Sequence, residues 1–372
     1  MVNPRSPSPA SSGSGVLSAP PRWLHLYDDF ITKNAHQVGQ IESALRSLTY
    51  IIPGRFRDAE IASESIHSGV QLLSLYHDSL LRRALSLATT KATPLPPTPH
   101  NRYTRFWTSK SPLYRRVAYI LQIVSYIELL CEMAAKRRGE RARWRVVILL
   151  EAIKAACKLF LLRITRARPL VTPVLPEREP LPEEPSEEDE FALEEDDADR
   201  NGHKTGPNGE WIMPRTGMAL PGLPAPGDTS GYLLGRVLTA EDIKPATKLM
   251  NRLQGAGHVA EVLHVLAPLV YAVALARSKN RKKDWKPWVL GLAVELAARQ
   301  LRERSLRTTS LEREEWGRRG WAMGRWAMRG AFYENVTKGM VEGVRRRMPS
   351  LVGGILEDYE YLWENYYFST SG

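Results

Sequence analysis

VAYILQIVSYIELLCEMAAKRRGERARWRVVILLEAIKAACKLFLLRIT, residues 117–165, reads as two apolar cylinders separated by a basic break. Neither run alternates polar and apolar residues, and both are far longer than a strand, so both predict helices. In the second, Glu151, Lys154 and Lys158 recur at spacings of three and four, which places them on one narrow polar stripe. Ser125, Glu128 and Glu132 repeat the device in the first. Three arrangements follow. Two soluble helices can show solvated stripes; the stripes can face each other, carboxylate against ammonium, with the outer faces in lipid; or a helix can lie in the membrane interface.

The same alternation of apolar run and basic flank recurs downstream. Residues 259–276 form an apolar segment, and Arg277, Lys279, Arg281, Lys282, Lys283 and Lys286 follow it. A spanning helix needs about 20 mostly apolar residues. Segment 144–165 reaches that length only with Glu151, Lys154, Lys158 and Arg163, and 259–276 falls short of it, so length leaves spanning open. If both span, the six basic residues before the first, Lys136, Arg137, Arg138, Arg141, Arg143 and Arg145, and the run after the second place both termini in the cytosol and the acidic linker on the other side by the positive-inside tendency. Trp144, Trp285 and Trp288 sit at the segment edges, where amphipathic rings favour the headgroup zone.

Upstream, Ile31, Val38, Ile41, Leu45, Leu48 and Ile52 trace one helix face as far as Pro53-Gly54, and Ala62, Ile66, Gly69, Leu73, Tyr76 and Leu80 trace another. The short connection predicts an antiparallel pair with these stripes in contact. A long helix is expected over about 311–347, with Gly317, Gly320, Gly324, Ala327 and Ala331 as a seam of small side chains for close packing. Arg318, Arg325 and Arg329 fall on another face; the alternative is a broken helix.

Charge divides the chain. Its total is +11, yet Pro176 to Asp199 holds 13 acidic residues and one basic, a net of −12 that leaves +23 on the rest. The expected organisation is therefore all-α and membrane-associated. A disordered leader (1–21) precedes an N-terminal helical half (22–168), a disordered acidic then Gly/Pro-rich linker (169–230), and a C-terminal helical half (231–372).

Several function classes fall away. Two Cys, 131 and 157, form no disulfide framework and no zinc ribbon. HExxH, GxSxG, P-loop and GxGxxG motifs are absent, His258 and His264 share no helical face, and no metal, cofactor or catalytic residue is implied. Basicity alone supports a nucleic-acid partner, and no recognition module accompanies it. Asn335-Val336-Thr337 is a short sequon match only.

An ordered set of motifs resembles the peroxin sixteen family of peroxisome assembly proteins, in its filamentous-fungal form. These are Tyr27 to Asn34, Gln40 to Arg46, Gly54-Arg55-Phe56, Ser63-Glu64, Leu72-Leu73, Leu129 to Ala134, Arg143-Trp144 and Lys154. Trp285-Lys286-Pro287-Trp288, Phe332-Tyr333 and Asp358 through Phe368 complete the set. The resemblance implies a non-enzymatic docking or recruitment platform for newly made peroxisomal membrane proteins. It would lie in the peroxisomal membrane, reached by way of the endoplasmic reticulum, and work with peroxins three and nineteen. It also implies that 144–165 and 259–276 are the first and second membrane segments, a choice that rests on the resemblance, and that the 136–145 cluster is a membrane-targeting patch. A competing class is a lipid-binding or lipid-modifying protein with Glu128, Glu132, Lys154 and Lys158 around an apolar cavity, acting on membrane growth and fission.

Overall fold

The computed structural model describes residues 26–28, 30–31, 34–51, 60–87, 98–178, 211–212, 219–220, 244–302 without 279 and 282, and 309–371. The leader and Gly54-Arg55-Phe56 lie outside these. The fold is all-helical, as expected. Its elements are α1 (Ala35–Ile51), α2 (Glu60–Leu87), α3 (Pro99–Lys110), α4 (Pro112–Arg137), α5 (Glu140–Ile164), α6 (Ala256–Arg277), α7 (Trp285–Gln300), α8 (Ser310–Ala322), α9 (Lys338–Arg345) and α10 (Ser350–Asn365). The strand pairing among the described residues is one two-residue antiparallel ladder, Trp211–Ile212 with Ala219–Leu220.

Local chemistry fixes several boundaries. Thr98 and Ser111 cap α3 and α4 by accepting from the amides of Asn101 and Tyr114, and a proline follows each cap at the start of the helix. Gly139, at φ +115, turns α4 back into α5. A capping box of Thr309 and Glu312 starts α8.

α2, α4, α5, α6 and α7 pack in that spatial order, each against the next. The amide of Leu253, just before α6, donates to the Ala167 carbonyl just after α5 at 2.7 Å. α6 therefore runs antiparallel to α5 and parallel to α4. Segments from both sides of the linker build both cores. Near the α4 start lie Tyr103, Trp107, Tyr114 and Leu161 with Leu249, Met250 and Leu311. Near the α4–α5 turn lie Trp144, Val147 and Leu150 with Tyr271, Trp326, Tyr367 and Phe368.

Four expectations change. First, the linker starts later than 169: Leu170, Val171, Val174 and Leu175 are buried. Their carbonyl neighbours are held too, Pro173 by His100 at 2.9 Å and Val174 by the Tyr114 hydroxyl at 3.1 Å. Prolines 169, 173 and 176 disguise four apolar residues that gain enough by burial to be ordered.

Second, the α1–α2 contact is polar. Glu42, Ser74 and His77 are buried, with Ser74 and His77 both bonded to Glu42 and Arg178 closing on Glu42 at 2.9 Å. Ile41, Leu45, Ile66, Leu73 and Tyr76 point outward. The mutually satisfied polar groups hold the pair together, and of the first stripe Ile31 and Val38 are buried while Ile41 and Leu45 stay uncovered.

Third, among the described residues the helices with the length and apolar composition to cross a membrane are α4 and α6, whose most apolar stretches are 28% and 39% buried. α6 contains the expected 259–276 segment. The helix at 144–165, α5, is not among them, because Glu151, Lys154, Lys158 and Arg163 interrupt it.

Fourth, the 311–347 run is broken. α8 ends at Ala322, a 3-10 stretch runs to Met328, Arg329 is extended, Gly330 has φ +54, and a π turn over Tyr333–Thr337 leads into α9. Gly317 and Gly324 have open space where a side chain would stand, and Gly320 meets only the Arg299 side chain. Gly317, Gly320, Gly324, Ala327 and Ala331 thus form no helix-packing seam; only Ala331 is buried.

Candidate functional site

The α4–α5 and α6–α7 turns lie at the same end of the bundle, because α4 and α6 are parallel, and they bring the two basic clusters together. Arg281 spans the gap to Glu140 at 3.3 Å and lies over the Trp144 ring at 4.9 Å. The expected targeting patch divides in two. Arg137, Arg138, Arg141 and Arg145 are exposed. Arg143 turns inward, its Nε and Nη2 donating to Glu132 at 2.9 and 2.7 Å and Nη2 also to the Asn365 carbonyl at 2.7 Å. The Lys136 ammonium sits 4.2 Å from the centre of the Tyr366 ring.

Glu132 is fully buried. It accepts not only from Arg143 but from the backbone amides of Tyr367 and Phe368, at 2.8 and 2.9 Å. One carboxylate thereby satisfies four donors and pins the aromatic segment after α10 onto α4. A charge-assisted set of this kind offsets the desolvation of a buried carboxylate.

Beside this clamp opens a cavity of about 470 Å³. Trp144, Tyr271 and Tyr367 line its wall, with Arg281, Lys283 and Arg329 among its cations and Glu140, Glu334 and Glu364 among its acceptors. Arg329 is fixed by two bonds to the Thr370 carbonyl, at 3.0 and 2.5 Å, and Lys338 by Glu364 at 2.7 Å. Gly330 is required at the rim: a Cβ there would stand 3.0 Å from the Tyr271 hydroxyl, on a left-handed backbone. Trp288 of the Trp285-Lys286-Pro287-Trp288 motif supports the rim from α7. It stacks on Phe332 at 5.3 Å and donates from Nε1 to the Trp326 carbonyl at 2.9 Å. Asp284 caps the same helix by accepting from the Lys286 amide, which holds its carboxyl below the usual range. Guanidinium donors beside aromatic faces can hold anionic groups and dock polypeptide.

The stripes face each other in part: Glu128 meets α5, whereas Ser125 is exposed and Glu132 turns to Arg143. Lys154 on α5 bridges Glu128 on α4 at 2.7 Å and Glu151 at 3.1 Å, with Phe368 packed over its ammonium. At the opposite end of the bundle a second network was not foreseen. Arg319 on α8 grips Glu261 on α6 through Nη1 and Nη2 at 2.7 and 2.8 Å, and Glu315 through Nε at 3.0 Å. Burial opposes its charge, but the two carboxylates prevail and raise its pKa. Glu261 and Glu315 also accept from the amides of Leu170 and Thr172. Cys131 and Cys157 are free and half-buried. His264 pairs with Glu295 across α6 and α7 at 2.8 Å, and His258 takes no part in that contact. Among the described residues no group of three or more His, Cys, Asp or Glu has the arrangement of a metal site.

The model of the family described as peroxisomal membrane protein (Pex16) matches residues 25–365, including every helix just described. The chain belongs to this family. Two curated relatives agree. Peroxisomal membrane protein PEX16 of Schizosaccharomyces pombe is 21% identical over 289 residues, 74% of this chain and 75% of the relative. Peroxisome biogenesis protein 16 of Arabidopsis thaliana is 22% identical over 302 residues, 73% and 75% of the two chains. No solved structure is significantly similar. The family places the chain in the peroxisomal membrane as a peroxisome biogenesis factor.

Proposed function

We propose that this chain is a non-enzymatic docking platform that receives newly made peroxisomal membrane proteins, with α4 and α6 crossing the bilayer and α5 returning between them. The observation that carries the reading is the convergence of two parallel apolar helices, each only partly buried, on one basic end. That end also holds a cavity framed by both segments of the chain. Lysine and arginine favour the cytosolic side, so the cavity faces the cytosol, where a soluble carrier would present its cargo. Residues 177 and 244 both accept from α3, at the other end. The charged stripe of α5 is tolerated at bilayer depth because Lys154 pairs with both Glu128 and Glu151 inside the bundle.

By resemblance, the partners are peroxins three and nineteen with their membrane-protein clients, and the chain reaches the organelle by way of the endoplasmic reticulum. The four exposed arginines of the first turn are the targeting patch, and Arg143 is a structural residue. Replacing Arg137, Arg138, Arg141 and Arg145 together by Ser is expected to mislocalise a fluorescently tagged chain while its unfolding transition stays in place; correct peroxisomal targeting would refute the patch's role. Carbonate extraction with protease protection of a tag in the linker tests the topology. Release into the carbonate supernatant would exclude crossing helices.

A further inference from the structure

We propose that the segment from Tyr333 to Met348 is a second membrane contact, lying flat on a bilayer surface that carries anionic phospholipid. Val336, Met340 and Val344 are 42, 68 and 48% exposed and recur every four residues along the π turn and α9, and Met348, 40% exposed, follows just after α9 ends. Gly339 and Gly343 fall between them on the same strip, both with open space around the Cα. None of the described residues fully covers this strip. A run of apolar side chains kept in water is unfavourable, and such a patch on a folded chain marks a contact surface.

Two observations name the occupant. Arg345-Arg346-Arg347 closes the strip, with Arg346 and Arg347 exposed and Arg345 tied to Glu357 at 3.3 Å. An apolar face bordered by arginines is the pattern of helices that settle into the headgroup boundary of anionic membranes. The second observation is position. Tyr333 and Glu334, where the segment begins, line the cavity with Lys136, Arg143 and Arg281, at the basic ends of α4 and α6. If those helices cross, the bilayer surface runs at this level and the strip is already beside it. The contact rests on the chain's residence in a membrane and extends the spanning reading without requiring it.

The test uses the full chain in lipid nanodiscs. An environment-sensitive fluorophore is attached at Met340→Cys in a Cys131→Ala/Cys157→Ala background. In discs containing phosphatidylserine, a blue-shifted emission quenched by spin-labelled lipid is expected. On preformed vesicles, Arg346→Gln/Arg347→Gln should weaken partition by about 25-fold, roughly five-fold for each arginine. Equal quenching in neutral discs would overturn the role of the arginines, and a water-like emission would overturn the contact. A blue shift that no spin-labelled lipid quenches would mean that another polypeptide covers the strip, and would also refute it. Should the chain fail to enter discs, the spanning reading falls, and flotation with phosphatidylserine vesicles decides the strip separately. Loss of flotation in Met340→Glu/Val344→Glu supports the contact, and unchanged flotation refutes it.

Discussion

Replacing Glu132 by Gln tests the junction between the two segments most directly. The carboxylate receives four donors, two from Arg143 and one each from the amides of Tyr367 and Phe368. An amide keeps the shape but loses the charge, and its NH₂ turns a donor toward one of the existing donors. Removing one member of a buried ion pair costs about 3–5 kcal/mol, a large part of the roughly 5–15 kcal/mol that holds a domain together. Arg143 is 12% exposed, so Arg143→Gln should cost somewhat less, about 2–4 kcal/mol. The double variant leaves no unpaired charge and should be destabilised by at least about 1.5 kcal/mol less than the two single losses combined. Tryptophan fluorescence during chemical unfolding in detergent reads these values, since Trp144 lies against Tyr367 with ring centres 6.3 Å apart. Hydrogen exchange at the Tyr367 and Phe368 amides supplies a local readout, and a 3 kcal/mol loss corresponds to about 150-fold faster exchange. A single-variant loss below about 1 kcal/mol, or additivity within about 0.5 kcal/mol, would refute the clamp.

Glu64 gives a pH signature. Burial raises its pKa from the ordinary 4.5 to about 7, against a small opposing effect of the Ser68 hydroxyl. The folded chain therefore binds the extra proton between those values, and this contribution to stability is present below about 4.5 and lost as pH rises through about 7. Glu64→Gln should raise the melting temperature at pH 7.5 and leave it almost unchanged at pH 4.5; the reverse order in thermal scans would contradict the assignment. Three glycines should respond differently to alanine. Gly291→Ala puts a Cβ 2.4 Å from the Trp326 ring and should cost about 1–3 kcal/mol. Gly330→Ala forces a left-handed residue at φ +54 and should cost about 1–2 kcal/mol. Gly317→Ala, in open space within α8, should gain up to about 1 kcal/mol. Denaturant titrations of the three variants check the order.

Helical class, the α4–α5 hairpin and the facing of Glu128 on Lys154 were legible because each depends on spacing within one or two neighbouring helices. The α1–α2 contact was misread because periodicity reports which residues share a face, not which face is turned inward; Glu42, Ser74 and His77 gained more from one another than the apolar stripe did. The 311–347 run looked continuous because glycine is neutral to pattern. Only the Arg329–Gly330 backbone, shaped around Tyr271, shows the break. The charges of α5 set it apart from α4 and α6 in apolar composition, and one of them, Lys154, binds it to Glu128 of α4. The aromatic cluster after α10 was visible, but its partner, Glu132, lies 235 residues earlier, a distance that no local rule spans.

That separation has a consequence for how the protein is made. At about 5–20 residues per second, a ribosome needs roughly 12–50 s after adding Glu132 to reach Tyr367. Throughout that interval the first hairpin carries a carboxylate whose backbone donors have not yet been synthesised, and helix faces that water does not favour. Escort by a holdase or early delivery to lipid would protect the nascent chain during this wait, so its biogenesis should be as sensitive to translation speed as its finished form is to mutation.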